Sequence, residues 1–249
     1  MIDIFVINIP SSIERKENIA RQLTKLGLAF HIFEAVNGHK DKSPLFDLYD
    51  EKKSQLYRGK TLSKGQLGCY ASHYLLWQKC IELGKPIIVL EDDALIYENE
   101  FQNLINNVQA LSQHFECIRL FDNKRPSFKH NLEKKLTHTE IHKFNRGHMS
   151  ATGYFLTPEG AKKFLEHSQS WYLAVDIYMD RFWVNGVDVY GTYPACLTND
   201  PKFESDIGYG SKPKRSLYCR IKREVFNLIE LVRRYNHNAL YKIRSKRKS

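Results

Sequence analysis

Pro86-Ile-Ile-Val-Leu-Glu-Asp-Asp93 sets five uncharged residues directly against three carboxylates. The apolar run is short, rich in β-branched residues and preceded by Gly84, the pattern of a strand buried on both faces rather than of a helix. Such a strand belongs in an α/β sheet, where ligands bind at the carboxyl ends of the strands. Three adjacent acids repel one another unless something positive lies between them. A hard divalent cation such as Mn²⁺ or Mg²⁺ prefers oxygen ligands and brings a substrate's phosphates with it. A solvated acidic turn would use the same residues, so the surrounding sequence has to decide.

Upstream, Asp3-Ile-Phe-Val-Ile-Asn-Ile9 reads as a strand. The capping spacing of Ser11 and Glu14, the helical repeat of Ile19, Leu23 and Leu26, and the stop at Gly27 predict the helix that follows. Residues 29–36 alternate as a second strand and close on the turn Asn37-Gly38. In this β-α-β unit Asn8 falls at a strand tip and Arg15 in the first helical turn, where an amide and a guanidinium can hold a base or a phosphate. Arg15 could equally be a solvent-facing charge. The weakly apolar segment 39–62 is expected to run over the surface as a cover for the site. Ser63 and Gln66 have capping-box spacing and open a helix up to Gly84 that carries Ser72 and His73. A histidine beside an apolar helical stripe is either a bonded structural group or a ligand.

Downstream, Phe101, Leu104, Ile105, Val108 and Leu111 mark another helix, and residues 117–121 a strand ending at Asp122. Residues 136–144 alternate like an edge strand, and their histidines lack the supporting acids of a metal site. Residues 150–156 read as a strand, and Thr157-Pro158 starts a helix. Asp176 and Asp180 lie in the apolar run 175–180. An acid held among apolar groups suits a general base, although Asp176 could also cap a helix. Residues 187–193 read as a further strand.

The 249 residues fit one large domain, 1–210, and a tail, 211–249. The net charge of +10 is uneven: the tail holds thirteen Lys and Arg against Glu224 and Glu230, leaving the first 210 residues at −1. Leu217, Ile221, Val225, Leu228, Val232 and Tyr235 share one face of a basic tail helix that either packs on its own domain or docks on anionic lipid. Five cysteines without paired spacing, and no secretory or membrane-spanning stretch, point to a reducing cytoplasm.

Residues 6–9 with Arg15, Glu34-Ala-Val-Asn-Gly38, Leu62-Ser-Lys-Gly-Gln-Leu-Gly-Cys-Tyr-Ala-Ser-His73, Leu90-Glu-Asp-Asp93 and Ala151-Thr-Gly-Tyr-Phe-Leu-Thr157 together resemble glycosyltransferase family 25. The resemblance spans roughly residues 2 to 210 and its motifs fall in order. It implies a GT-A-like, Rossmann-type mixed sheet flanked by helices, with the basic helical tail added. It also implies inverting transfer of a hexose, most often galactose from UDP-galactose, to a lipooligosaccharide-type acceptor, by a β-galactosyltransferase at the cytoplasmic face of the inner membrane. Mn²⁺ or Mg²⁺ would be held by Asp93 with Asp92, while Glu91 and Asp92 hold ribose or waters. Asn8, Arg15, Val36, Asn37, Gly38, Ser72 and His73 would surround the donor nucleotide. Asp176 would be the base, with Asp180 in reserve and Asp122 behind it. Glu204-Ser-Asp206 resembles a segment that closes over the diphosphate.

A glucosyltransferase of the same family and an inactive member are the near alternatives. A metal-dependent phosphotransfer or receiver-like domain would need a lysine at a later strand end, and none is evident in the sequence. A nucleic-acid module is disfavoured by the near-neutral body, which leaves lipid-linked glycan and an anionic membrane surface as the expected partners.

Overall fold

The computed structural model describes residues 2–203 and 217–246. β1 (Asp3–Asn8), α1 (Ile13–Lys25) and β2 (His31–Glu34) form the expected unit with β1 and β2 parallel. A 3-10 turn (Pro44–Leu48), α2 (Glu51–Arg58) and α3 (Lys64–Leu83) lead into β3 (Ile87–Glu91), which is parallel to β1 on its other side. Then come β4 (Ala94–Ile96), α4 (Glu98–Ser112), β5 (Cys117–Arg119), β6 (His130–Lys135), β7 (Glu140–Phe144) and β8 (Gly153–Leu156). The chain continues through α5 (Pro158–Glu166), α6 (Val175–Met179), α7 (Phe182–Asn185), β9 (Tyr190–Tyr193), β10 (Leu197–Asn199) and α8 (Leu217–Lys246). Eight strands make one mixed sheet in the order β2-β1-β3-β8-β5-β9-β7-β6, and β4 pairs separately with β10.

The central strands are apolar on both faces because helices cover both. Ile87 and Val89 of β3 face a core shared with Tyr70, Trp77 and Phe164, whereas Ile88 and Leu90 face one shared with Ile19, Leu23, Phe101 and Leu104. The two-residue period of a strand thus sorts one run of sequence into two cores. Ser63 and Gln66 close their capping box, and Gly84 ends α3 in the left-handed conformation at φ 61°.

Several expectations are corrected. The first residue capping α1 is Ser12, not Ser11, and its side chain makes no capping bond. Residues 136–144 do not form an edge: β7 lies between β9 and β6, and β6 is the edge strand. The segment 39–62 is no loose cover, because Trp171 bonds through its backbone to Leu48 and Asp50, and α2 packs beneath α8.

The tail helix packs on the body with the face opposite to its apolar stripe. Phe226 stacks on Tyr57, Glu230 pairs with Arg181, His237 bonds Asp188 at 2.9 Å, and Tyr241 bonds Glu133. Leu217, Ile221, Val225, Leu228, Val232 and Tyr235 point outward instead, between 48% and 74% exposed. No helix among the described residues is long and apolar enough to cross a membrane. No disulfide joins any of the cysteines among the described residues.

His148 is fully buried, with neither ring nitrogen hydrogen-bonded among the described residues. Burial, then the charges of Arg119 and Arg125, hold its pKa well below the ordinary 6.5. As pH falls through that ordinary value the unfolded chain takes up a proton that the folded one refuses, so stability present above it is lost. From pH 7.5 to 5.5, wild type should lose more unfolding free energy in urea than His148→Leu does, by about 1 kcal/mol. Parallel pH dependences would show that His148 does not contribute.

Candidate active site

β3 delivers its three acids to one place, and the fold gives each a different environment. Glu91 accepts from His73 Nε2 at 3.3 Å and lies 3.9 Å from the Cys69 thiol. Behind it, Trp77 Nε1 donates to the Tyr154 hydroxyl at 3.0 Å, and that hydroxyl lies 2.9 Å from His73 Nδ1. A carboxylate can only accept, so Nε2 carries the proton toward Glu91. Burial pushes the Glu91 pKa up, but the bond and charge of His73, with Thr152 and Lys124, outweigh it and leave the group below the usual range.

Asp92 is buried and turned toward β1 and α1. Its Oδ2 accepts from Asn8 Nδ2 at 2.7 Å and its Oδ1 from Arg15 at 3.3 Å. Burial raises its pKa against the pull of these two partners. Asp93 is the unfinished member. Its Oδ2 accepts from Asn199 at 3.0 Å, while its Oδ1 is buried without a hydrogen-bond partner among the described residues. Burial and then the charges of Glu91 and Asp92 push its pKa up to about 7.

A buried carboxylate oxygen with no donor among the described residues, flanked by the ionised Glu91 carboxylate, is a fit for a hard cation. Asp93 and Glu91 are the residues that would hold it. Asp92, expected as a co-ligand, has both oxygens committed to Asn8 and Arg15. Cys69, His73 and Glu91 bring ligand atoms within 4.8 Å of one another, but burial and the Glu91 charge keep the thiol pKa well above its ordinary value. Thiol and imidazole therefore both support Glu91 as donors.

Two adjoining cavities share Cys69, Glu91 and Asp93. The smaller, about 110 Å³, is bounded by Arg15, Val36, Asn37, Gly38 and Ser72 together with the acids. Its back wall is a close crossing of residues 36–38 over α3. A Cβ on Gly38 would fall 1.8 Å from the Lys64 carbonyl oxygen, and one on Gly68 2.3 Å from that of Val36, so only glycine fits at either position. Ser72 locks this crossing, accepting from Val36 N at 2.9 Å and donating to Gly68 O at 2.8 Å. Ser72 and Asn8 therefore shape the cavity through bonds to the protein. His73 lies behind Glu91 and lines neither cavity, which corrects its expected place beside the nucleotide.

The larger cavity, about 370 Å³, has Asp176 and Lys124 on its wall with Met149, Thr152 and Asn199. Asp176 lies in the first turn of α6 with its side chain partly exposed. Asp180, one turn on, is corrected as a reserve base. Arg119 and Arg125 reach its carboxylate at 3.3 and 3.0 Å, and the backbone N–H groups of His148 and Met149 both donate to it at 3.0 Å. No lone pair is left facing the cavity. Asp122 lines neither cavity. The expected closing segment Glu204-Ser-Asp206 lies outside the described residues.

Sequence reasoning missed Asn199, Thr152 and Lys124. Asn199 bonds both Asp93 and Thr152, and Lys124 donates to Asn199 at 2.9 Å. Lys124 is the late lysine that a receiver-like domain would need; it follows β5, but its Asn and Arg neighbours hide it in the sequence.

Acids at a strand tip, shared between two cavities in a mixed α/β sheet, suit an enzyme that brings two substrates together over one charged centre. A family model described as glycosyltransferase family 25 (LPS biosynthesis protein) matches residues 1–179, and the chain belongs to that family. The chain is 26% identical over 234 residues to the lipooligosaccharide biosynthesis protein lic2B of Haemophilus influenzae, covering 88% of this chain and 85% of the relative. It is 28% identical over 173 residues to procollagen galactosyltransferase 1 of Danio rerio, covering 66% of this chain but only 28% of that relative. A further relative, 26% identical over 127 residues, is the inactive glycosyltransferase 25 family member 3 of Homo sapiens, with 47% of this chain and 21% of that one covered. A solved glycosyltransferase involved in glycosylation of the PBCV-1 major capsid aligns with 91% of this chain and 98% of its own at 11% identity and TM-score 0.41, a likeness too loose to bear on fold or chemistry.

Proposed function

We propose that this protein is an inverting, GT-A-like galactosyltransferase that moves galactose from UDP-galactose to a lipid-linked, lipooligosaccharide-type glycan. The observation that carries the reading is the donorless Asp93 oxygen beside ionised Glu91, in a family-25 chain, at the junction of two cavities. The smaller cavity takes the nucleotide between residues 36–38 and Arg15, and the larger takes the acceptor. Mn²⁺ or Mg²⁺, when bound by Asp93 and Glu91, neutralises charge on the leaving diphosphate. Arg15 and Lys124 add positive charge on either side.

Asp176 acts as the base on the acceptor side. An acceptor hydroxyl gives its proton to the Asp176 carboxylate as its oxygen bonds to the anomeric carbon. The bond from that carbon to the diphosphate breaks on the opposite face, and the electron pair leaves with UDP. Burial of the junction keeps water from the donor.

The outward stripe of α8 supports membrane docking. Its apolar residues are flanked by exposed Arg220, Lys222, Arg233, Lys242 and Arg244, a distribution that matches an anionic bilayer presenting a lipid-linked acceptor. Such docking supports a peripheral position at the cytoplasmic face of the inner membrane.

Asp93→Ala should abolish Mn²⁺-dependent hydrolysis and transfer from UDP-galactose with an unchanged circular dichroism spectrum; wild-type activity surviving EDTA would refute the metal's role. A parallel assay with UDP-glucose distinguishes the donor sugar. Asp176→Asn should lower kcat by about 10² to 10⁴ with UDP affinity unchanged, and an unaltered kcat would remove it as the base. Ile221→Asp/Leu228→Asp/Val232→Asp, which leaves the packed face of α8 intact, should lose binding to phosphatidylglycerol liposomes. Undiminished binding would mean that the stripe does not meet lipid.

A further inference from the structure

A third cavity, about 330 Å³, opens between α8 and the body, lined by residues of α2, α6, α7 and α8. Four guanidiniums border it, those of Arg58, Arg125, Arg181 and Arg234, against two carboxylates, Asp180 and Glu230. Both carboxylates are already engaged. Asp180 is held by Arg119 and Arg125, and Glu230 pairs through Oε2 with Arg181 and accepts from Trp183 Nε1 at 3.2 Å. Arg58 and Arg234 have no carboxylate within ion-pair distance among the described residues. Arg234 lies over the Trp183 ring at 5.9 Å, and both arginines are partly buried among further cations. Half-desolvated guanidiniums crowded by like charge are costly to hold without a counter-charge, and their forked donors match carboxylate and phosphate.

The same groove contains a hydroxyl acceptor. Glu230 Oε1 is buried without a hydrogen-bond partner among the described residues, with Arg233 Nη1 in ion-pair range at 3.8 Å but too far to donate. The groove is also next to the acceptor cavity. The short helix α6 is their common wall, with Val175 and Asp176 lining one side and Ile177 and Asp180 the other. The charge of Asp176 offsets part of the cost of burying Arg58, while those of Arg181, Arg223 and Arg125 add to that cost.

We propose that this groove is a subsite for an acidic sugar unit of the acceptor, its carboxylate or phosphate held between Arg58 and Arg234 and a hydroxyl donated to Glu230 Oε1. The assignment rests on the reading of the larger cavity as the acceptor's. With the acidic unit anchored there, the adjoining sugar lies at Asp176, so the groove selects acceptors by a charge one unit removed from the reacting hydroxyl.

Protein-observed NMR titrations of the full chain with glucose, glucuronate, glucose 6-phosphate and inorganic phosphate test this directly. At least one acidic sugar should bind about ten-fold more tightly than glucose, the difference expected from one charge-assisted hydrogen bond. Whichever of glucuronate and glucose 6-phosphate is preferred identifies the anion. Arg58→Gln/Arg234→Gln should erase the preference, Arg58→Lys/Arg234→Lys should retain part of it, and UDP affinity should stay at the wild-type value in both, certifying the fold. Equal binding of glucose and the acidic sugars, a preference surviving in the glutamine variant, or inorganic phosphate binding as tightly as glucose 6-phosphate would each overturn the subsite. Because the titration reads binding alone, wild-type protein that fails to turn over any UDP-sugar yet keeps the preference would sink the transferase reading and leave the groove standing. Turnover without the preference would do the reverse.

Discussion

Three carboxylates cannot share the end of one buried strand with equal charge, and much of the surrounding structure answers that constraint. Glu91 is kept ionised by a relay from Trp77 through Tyr154 and His73, which enters from α3 and β8. Asp92 is drawn to the opposite side by Asn8 and Arg15, so β1 and α1 are tied to the same turn. Asp93 receives one donor, from Asn199, because β10 pairs antiparallel with β4 and brings that side chain over the turn. What remains among the described residues is the unsatisfied Oδ1 of Asp93, in a place already crowded by negative charge. The site is thus defined as much by the donors that its neighbours use up as by the acids themselves.

Local signals were legible. The capping box of Ser63 and Gln66, the Thr157-Pro158 start and the apolar run of β3 each depend on residues within a few positions, and each appears where its spacing predicts. Signals carried by distant partners were not. β6, His130-Asn-Leu-Glu-Lys-Lys135, shows no apolar alternation, because as an edge strand it is specified by pairing with β7. Asp180 looked like a candidate base because an acid in an apolar run reads the same whether it faces substrate or a buried arginine. Its arginine partners lie 61 and 55 residues away. For Asp93, Glu91, Asp176 and the 36–38 turn the motif order was sufficient to place them at the cavities; for His73 it was not, since the helix position leaves open which side of Glu91 the ring occupies.

The tail helix shows where a periodicity argument needs a second premise. Its apolar stripe has the expected spacing, yet the rule that such a stripe faces the core fails here. The packing face uses Phe226, Glu230, His237 and Tyr241, whose aromatic and charged groups find partners on α2, α7 and the sheet edge. Specific polar contacts have fixed the rotation of the helix, leaving ordinary apolar residues outside. An exposed apolar face of this length on an otherwise well-packed body is a feature that function has to explain.

Asp180 lies between the larger cavity and the basic groove, with its carboxylate oxygens bonded to protein donors. Met149, on the cavity wall, adopts the left-handed conformation at φ 57°, unusual for a side chain of its size. Its N–H and that of His148 both donate to Asp180, so the carboxylate supplies the bonds that hold the turn in this conformation. The same carboxylate fixes Arg125, which borders the groove, and Arg119 beneath the sheet. Burial, with the Asp176 charge, raises the Asp180 pKa, and two guanidiniums together with two backbone donors offset that only in part. A structure that keeps so expensive a group intact between two cavities gains a rigid partition, and rigidity there is what lets a charge recognised on one side of α6 set the position of a hydroxyl on the other.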